Sequence, residues 1–284
     1  MTTSAPAEPT PFAREMRRRR ALRRISQLEL ATLAGTTQRH LSFIESGRST
    51  PGRAMVVRLA ESLGLTLRER NSLLLSAGYA PLYAESAWDA ETIGPAVEAL
   101  RSILTGHLPY PAVVAGPRGE LVLANAAFDV LTEGAAAHLL APPVNVLRLA
   151  LHPEGMGPRV VNLAAWGRHI TESLRTRASA HPDPGLEALV EELDGYLPAA
   201  APDPDPEADP DPEAQAEHLG FAVPLRLRTS AGELRLLTTL TSFSTAVDVT
   251  LAELHLEAFL PADAASAELL RRREDARAGT GLPH

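Results

Sequence analysis

Apolar positions recur at helical spacing through the first 80 residues, and each recurrence is bounded by a start and a stop signal. A first helix is expected from Phe12 to Arg24. Ser26-Gln27-Leu28-Glu29 has the form of a capping box, in which the serine hydroxyl takes a free first-turn amide and Glu29 reaches back to the cap amide. It opens a second helix, Gln27 to Ala34, which Gly35 ends as a left-handed residue would. Thr37 is the best N-cap for a third helix to Glu45, stopped by Gly47. Thr50-Pro51 predicts a cap and a first-turn proline for a fourth helix through Leu63. Thr66-Leu67-Arg68-Glu69 is a second capping box and opens a fifth helix that ends near Gly78. Five short helices in this span predict an all-α unit.

The pattern changes after "YAPLYAESAWDAET" (79–92), which loses periodicity and reads as a linker. A helix from Ile93 to Gly106 precedes "PAVVAGPRGELVLAN", which reads as strand, glycine-containing turn and strand. Helical stretches follow over Asn125–Thr132, Asn145–Leu151, Asn162–Thr176 and Gly185–Tyr196. The plainest hairpin is "AVPLRLRTSAGELRLLTTLTSF" (222–243), where Leu225 and Leu227 alternate with Arg226 and Arg228 and Ser230-Ala231-Gly232 makes the turn. "AELHLEAF" alternates as a strand would, while Thr250-Leu251-Ala252-Glu253 has the form of a helix cap, and both readings stand. Ala262 to Arg277 reads as a charged helix. The expected domains are therefore 10–79, a linker 80–92, a mixed α/β domain 93–265, and a C-terminal helix and tail 266–284.

Charge sharpens that division. Residues 1–80 carry 13 Arg against 6 Asp/Glu, net +7, whereas 81–284 carry 14 Arg against 29 Asp/Glu, net −15. A basic head on an acidic body places any polyanionic partner at the head. All 27 basic residues are Arg, which together with the Ala and Pro richness reads as coding bias. There is no cysteine, which excludes disulfide scaffolds, thiolate-ligated zinc and cysteine nucleophiles. No apolar run is long enough to span a bilayer, and "MTTSAPAEPTPFAREM" has no apolar stretch of signal-peptide type, so a cytoplasmic protein without a membrane partner is expected. The segment "PAAAPDPDPEADPDPEAQ" (198–215), with six carboxylates and repeated proline, is expected to be a disordered, solvated insert; its functional alternative is a polyanion competing with DNA for the head.

The third helix carries the candidate chemistry. With Thr37 as cap, Leu41 and Ile44 are expected to face inward against Leu28, Leu30 and Leu33 of the second helix. Gln38, Arg39, Ser42 and Phe43 then share the outward face. Glutamine pairs with the adenine edge, arginine with guanine, and a phenyl face meets a thymine methyl. Gln27 and Thr37 stand at helix N-termini, where side chain and backbone amides take phosphate oxygens, and Arg48 and Arg53 flank the next turn, with a phosphate contact expected from at least one of them. His40 is expected against the second helix and not in a groove.

"SQLELATLAGTTQRHLSFIESGRSTPGRAMVVRLAESLG" resembles the helix-turn-helix of the Cro/C1, or xenobiotic-response-element, family over residues 12–78. Ser-Gln opens the second helix, followed by Leu-Ala, Gly, the capped recognition helix, Glu-x-Gly-Arg and Pro. One departure is Arg19, where the pattern would have an apolar or aromatic residue packing the first helix on the core; "RRRR" (17–20) reads as partly a solvated face. "HLPYPAVV", "LVLANAAFDVL", "NVLRLALHPEGMGPRVVNLAAW" and "TTLTSFSTAVDVTLAELHLEAFLPAD" resemble the MmyB-like ligand-binding domain over most of 93–265. Together these resemblances imply a five-helix lambda-repressor-like head and a PAS-like mixed α/β sensor. They further imply operator DNA, a fatty-acyl or other apolar small molecule, and a homodimer on two half-sites.

The remaining chemistry is thin. His107, Tyr110, Trp166 and His169 are the candidate ligand-pocket residues, although Trp166, Ile170 and Leu174 also form an i, i+4, i+8 stripe of the kind that fills cores. His152, His169 and His181 lack metal-ligand spacing and read as scattered histidines. Glu253 and Glu257 read as a solvated face, and "GPRGE" is too short a turn to cradle phosphate. No nucleophile–base arrangement is legible, so no enzyme, cofactor or metal is expected. Two rival classes fit part of the pattern: an antitoxin-like protein-interaction module, and a PAS-like sensor holding haem or flavin.

Overall fold

The computed structural model describes residues 10–198, 222–243 and 246–279. The acidic segment 198–215, apart from Pro198, lies outside them, as do the last residues of the tail. Contacts divide the chain into two units: 10–88 together with 246–252, and 89–243 together with 253–279. No helix among the described residues is long and apolar enough to cross a membrane.

The first unit is a helical bundle of α1 (Pro11–Leu22), α2 (Gln27–Leu33), α3 (Gln38–Glu45), α4 (Arg53–Ser62) and α5 (Leu67–Ser76). Its starts follow the cap residues. Ser26 accepts the Glu29 amide at 3.1 Å, Thr37 accepts the His40 amide at 3.2 Å, and the box closes from both sides at Thr66 and Glu69. Gly35 and Gly47 end their helices at φ 60° and 75°, where a Cβ would be strained. The fourth helix departs from expectation. Its N-cap is Gly52, with no side-chain bond, because Pro51 is buried and its carbonyl accepts the Tyr79 hydroxyl at 3.0 Å. The proline anchors the loop to the residue after α5, and the helix begins two residues later.

The core of this unit is built from Met16, Leu30, Leu41, Ile44, Leu59 and Leu73 with their neighbours. Leu28 and Leu33 are not in it; they are 60% and 59% exposed, because the inward face of α2 runs through Leu30, Ala31 and Ala34. Arg19 explains itself here. It lies on the buried face of α1 with Phe12 and Met16, 8% exposed, and its guanidinium bridges Glu15 at 2.6 Å and Glu69 at 2.8 Å. A cation thus takes the place of an apolar residue because two carboxylates meet it.

The stretch expected as a linker is partly pinned. Asn71 of α5 accepts the amides of Leu82 and Tyr83 and donates to the Tyr83 carbonyl. The segment 246–252, expected inside the second domain, belongs to this unit as well: Val249 donates to the Ala84 carbonyl at 2.8 Å and Asp248 accepts the Ser86 amide.

The second unit is mixed α/β. It contains α6 (Gly94–Gly106), β1 (Ala112–Ala115), β2 (Leu121–Ala124), α7 (Asp129–Thr132), α8 (Ala137–Leu140), α9 (Val146–Leu151), α10 (Leu163–Ala180) and α11 (Pro184–Asp194). The chain continues through β3 (Leu225–Thr229), β4 (Gly232–Ser242), α12 (Val249–Ala252, in the first unit), β5 (His255–Pro261) and α13 (Ala264–Gly279). A helix and a strand are therefore both present near 250–261, one after the other, but Thr250 lies inside the helix and Asp248 takes its first-turn amides. The sheet is antiparallel throughout, in the order β2-β1-β5-β4-β3. The β3–β4 hairpin pairs Leu225 with Leu236 and Leu227 with Leu234, all four fully buried, and leaves Arg226 opposite Arg235 on the other face. Those leucines pack with Trp166 and Leu174 of α10 and Leu186, Leu189 and Leu193 of α11. The C-terminal helix is not an appendage. Leu270 of α13 joins the core, and Ser266 accepts the Arg235 amide at 2.8 Å.

Candidate nucleic-acid interface and ligand cavity

In the first unit, a buried carboxylate joins the three helices around the candidate recognition surface. Glu45, at the end of α3 and 1% exposed, accepts from two of the three Arg20 guanidinium nitrogens at 2.6 and 2.9 Å and from the Gln27 side-chain amide at 2.7 Å. Arg17 donates to the Glu45 carbonyl at 2.8 Å. One residue thereby ties α1, α2 and α3 together. Burial alone would raise the Glu45 pKa, but the bonds from Arg20 and Gln27 outweigh it and hold the carboxyl below the usual range. "RRRR" is accordingly only in part a solvated face.

Each expected DNA contact has a definite place. Thr37, Gln38 and Arg39 are exposed at the start of α3, while Ser42 and Phe43 are half-buried one turn on. The α3 stop brings Arg48 back: its amide bonds the Phe43 carbonyl at 2.8 Å across Gly47. The guanidinium carbons of Arg39 and Arg48 then lie 5.4 and 6.0 Å from the Phe43 ring centre, so the ring is flanked by two exposed cations. Arg53 is exposed at the start of α4. Gln27 is half-buried with its side-chain amide donated to Glu45, which leaves backbone amides, and not that side chain, as its offering at the α2 N-terminus. His40 is half-buried, with Nδ1 2.9 Å from the Thr36 hydroxyl in the turn after α2.

The second unit holds a cavity of ≈ 240 Å³ between the sheet and α9–α10, near the small end of ordinary ligand pockets of ~300–1,000 Å³. Its lining is mostly apolar, including Val113, Leu131, Leu147, Trp166, Ile170 and Phe259. Trp166 and His169 are both in it, and Trp166 belongs at the same time to the packed core. His107 and Tyr110 are not among its described lining residues. His107 pairs its Nδ1 with the Ile103 carbonyl, one turn back on α6, and Tyr110 packs against the core while its carbonyl takes the Asn125 amide. Preceding the first strand was therefore not enough to place a side chain in the cavity.

The polar lining is what the sequence did not reveal. Ser173 and Arg177 come from α10, and Thr238, His255 and Glu257 from the sheet. Glu257 is not on a solvated face. It stands on β5, which the strand order puts in the centre of the sheet, and its side chain points into the cavity. Burial pushes its pKa up to about 7. Burial also lowers that of His255, with the nearby Arg177 cation as the second cause, and favours the neutral ring. A β5 strand reading with period 2 groups His255, Glu257 and Phe259, but only the residues that α9 and α10 add to the same cavity show what that face meets.

For metals, His138, His152 and Glu154 come together, with one donor atom each within 4.8 Å of the others. The His152 Nδ1 already accepts the Glu154 amide at 3.0 Å, so a cation there would have to displace that amide or force the ring into its other tautomer. His169 belongs to the cavity and not to this group.

Comparison with protein families matches residues 96–272 to a model described as the MmyB-like transcription regulator ligand binding domain, and residues 16–70 to a helix-turn-helix model. No curated protein matches the chain.

Proposed function

The chain belongs to the family of transcription regulators that carry the MmyB-like ligand-binding domain, and from that premise we propose that its α3 reads an operator while the cavity of the second unit takes an apolar effector. The coarse role, a DNA-binding regulator with a ligand-binding domain, follows from the two matched segments.

The reading of the operator rests on one observation: Gln38 and Arg39 are exposed at the first turn of α3, with Arg39 and Arg48 flanking the Phe43 ring. In this reading Gln38, Arg39, Ser42 and Phe43 meet base edges, and Thr37, Arg48, Arg53 and the α2 N-terminus at Gln27 meet phosphates. The protein acts as a homodimer on two half-sites, as helix-turn-helix readers do. Effector binding alters β4 and β5, which contribute Thr238, Leu240, His255 and Glu257 to the cavity lining. The chain between those strands, 246–252, belongs to the DNA-binding unit, and this continuity supports it as the route of response.

The test is selection of bound duplexes from a randomised pool. Wild type is expected to enrich a motif of two half-sites. Arg39→Ala is expected to lose about 1–3 kcal/mol and relax one base pair per half-site. Arg48→Ala weakens all sequences alike and lowers the salt slope by about 1. An Arg39→Ala protein with intact affinity and base preference would refute the assignment of α3.

A further inference from the structure

The cavity contains a carboxyl group that the regulatory reading leaves without a use. Glu257 lies opposite Val113 on β1 and Leu240 on β4, so its sheet neighbours on both sides are apolar. Among the described residues no hydrogen bond or ion pair offsets its burial. The charged and titratable groups facing the same cavity are His169 and Arg177 from α10 and His255 from β5. Arg177 donates from one guanidinium nitrogen to the Pro117 carbonyl and lies in the field of Asp183 and Glu120. Burial, and after it Arg177, lowers the His255 pKa and so favours its neutral ring. None of these groups forms a hydrogen bond or ion pair with Glu257.

An ionised carboxylate in apolar surroundings is costly unless it is paired, and removing water around the pair strengthens it. A ligand bringing its own cation would convert that cost into recognition. A ligand carboxylate would instead set a second negative charge near the first. We propose that the ligand of this cavity has an apolar body and a protonated amine, and that the Glu257 carboxylate receives the amine while Leu131, Leu147, Trp166, Ile170 and Phe259 enclose the body. The proposal rests on the second unit being a ligand-binding domain.

Three eight-carbon probes that differ only in the head group separate the two claims: octylamine, 1-octanol and octanoate, titrated calorimetrically into the full chain at pH 8. Octylamine is expected to bind about tenfold or more tighter than 1-octanol, and octanoate weakest. Lowering the pH to 5.5 protonates Glu257 while the amine stays charged, so octylamine affinity falls and 1-octanol affinity does not. Glu257→Gln is expected to remove the preference for octylamine and leave 1-octanol within about twofold. Octanoate or 1-octanol binding as tightly as octylamine to wild type would overturn the amine proposal and leave the ligand-binding reading standing. Binding of none of the three would overturn both. The wild-type comparison decides the matter even if the variant fails to fold.

Discussion

Two glutamates of this protein, one buried and one half-buried in the wall of a cavity, have opposite chemistry. Glu45, in the DNA-binding unit, receives Arg20 twice and Gln27 once, and its carboxyl titrates below the usual range. Glu257, in the ligand-binding unit, faces a mostly apolar cavity with no hydrogen bond or ion pair among the described residues, and its pKa is raised to about 7. The difference teaches how to separate architecture from recognition. A polar group whose valences are met inside the chain holds elements together; one whose valences are unmet beside a cavity is available to a ligand.

Breaking Glu45 should have the larger effect. Glu45→Ala leaves Arg20 half-buried without its carboxylate and is expected to cost about 3–5 kcal/mol, read as a lower urea midpoint for the transition of the helical unit. The native pKa of Glu45 is depressed, so its contribution is fully present above the unfolded value of about 4.3 and is lost as the pH falls through the folded value. A loss under about 1 kcal/mol would mean that the three-helix tie is decorative.

Glu257 should behave in the opposite sense. Its native pKa is raised, so the folded state binds the proton more tightly than the unfolded one, and ionisation opposes folding from about pH 4.3 upward until the native pKa is passed. Glu257→Gln is expected to stabilise the ligand-free protein at pH 8 by on the order of 2–3 kcal/mol relative to its effect at pH 4, as compared by urea midpoints. Equal effects at both pH values would show that the carboxyl is compensated. The smallest expected change is at the edge of the first unit. Thr37→Ala removes the α3 cap and should cost about 1 kcal/mol of stability, visible as a lowered thermal midpoint, in addition to any loss of DNA affinity.

The same contrast explains what the sequence made legible. Helix starts are local: Ser26, Thr37 and Thr66 cap helices that begin within three residues of them, and the alternation of Leu225 and Leu227 marks a strand from its own residues. The outward placement of Gln38 and Arg39 follows from the Thr37 cap in the same way. Partnerships across the chain were not legible. Arg19 is buried because Glu69, fifty residues on, reaches it, and Gln27 is spent on Glu45, eighteen residues on. Leu28 and Leu33 were expected inward because they are apolar, yet the close approach of α2 to its neighbours uses Ala31 and Ala34 instead. Thr50 lost its cap because Tyr79 anchors Pro51. The cavity was the least legible of all. Trp166 and His169 line it, His107 and Tyr110 are not among its described lining residues, and Glu257 reaches it from a strand whose partner β1 lies more than a hundred residues away.

The most direct test of that contrast is to follow the two side-chain carboxyl carbons by nuclear magnetic resonance as the pH of the ligand-free, full-length protein is varied, with Glu45→Gln and Glu257→Gln for assignment. The account expects Glu257 to titrate near neutrality, at about 7, and Glu45 below the ordinary glutamate value of about 4.3. Glu257 titrating at that ordinary value, as a water-exposed carboxylate does, or below it, as an internally paired one does, would contradict it.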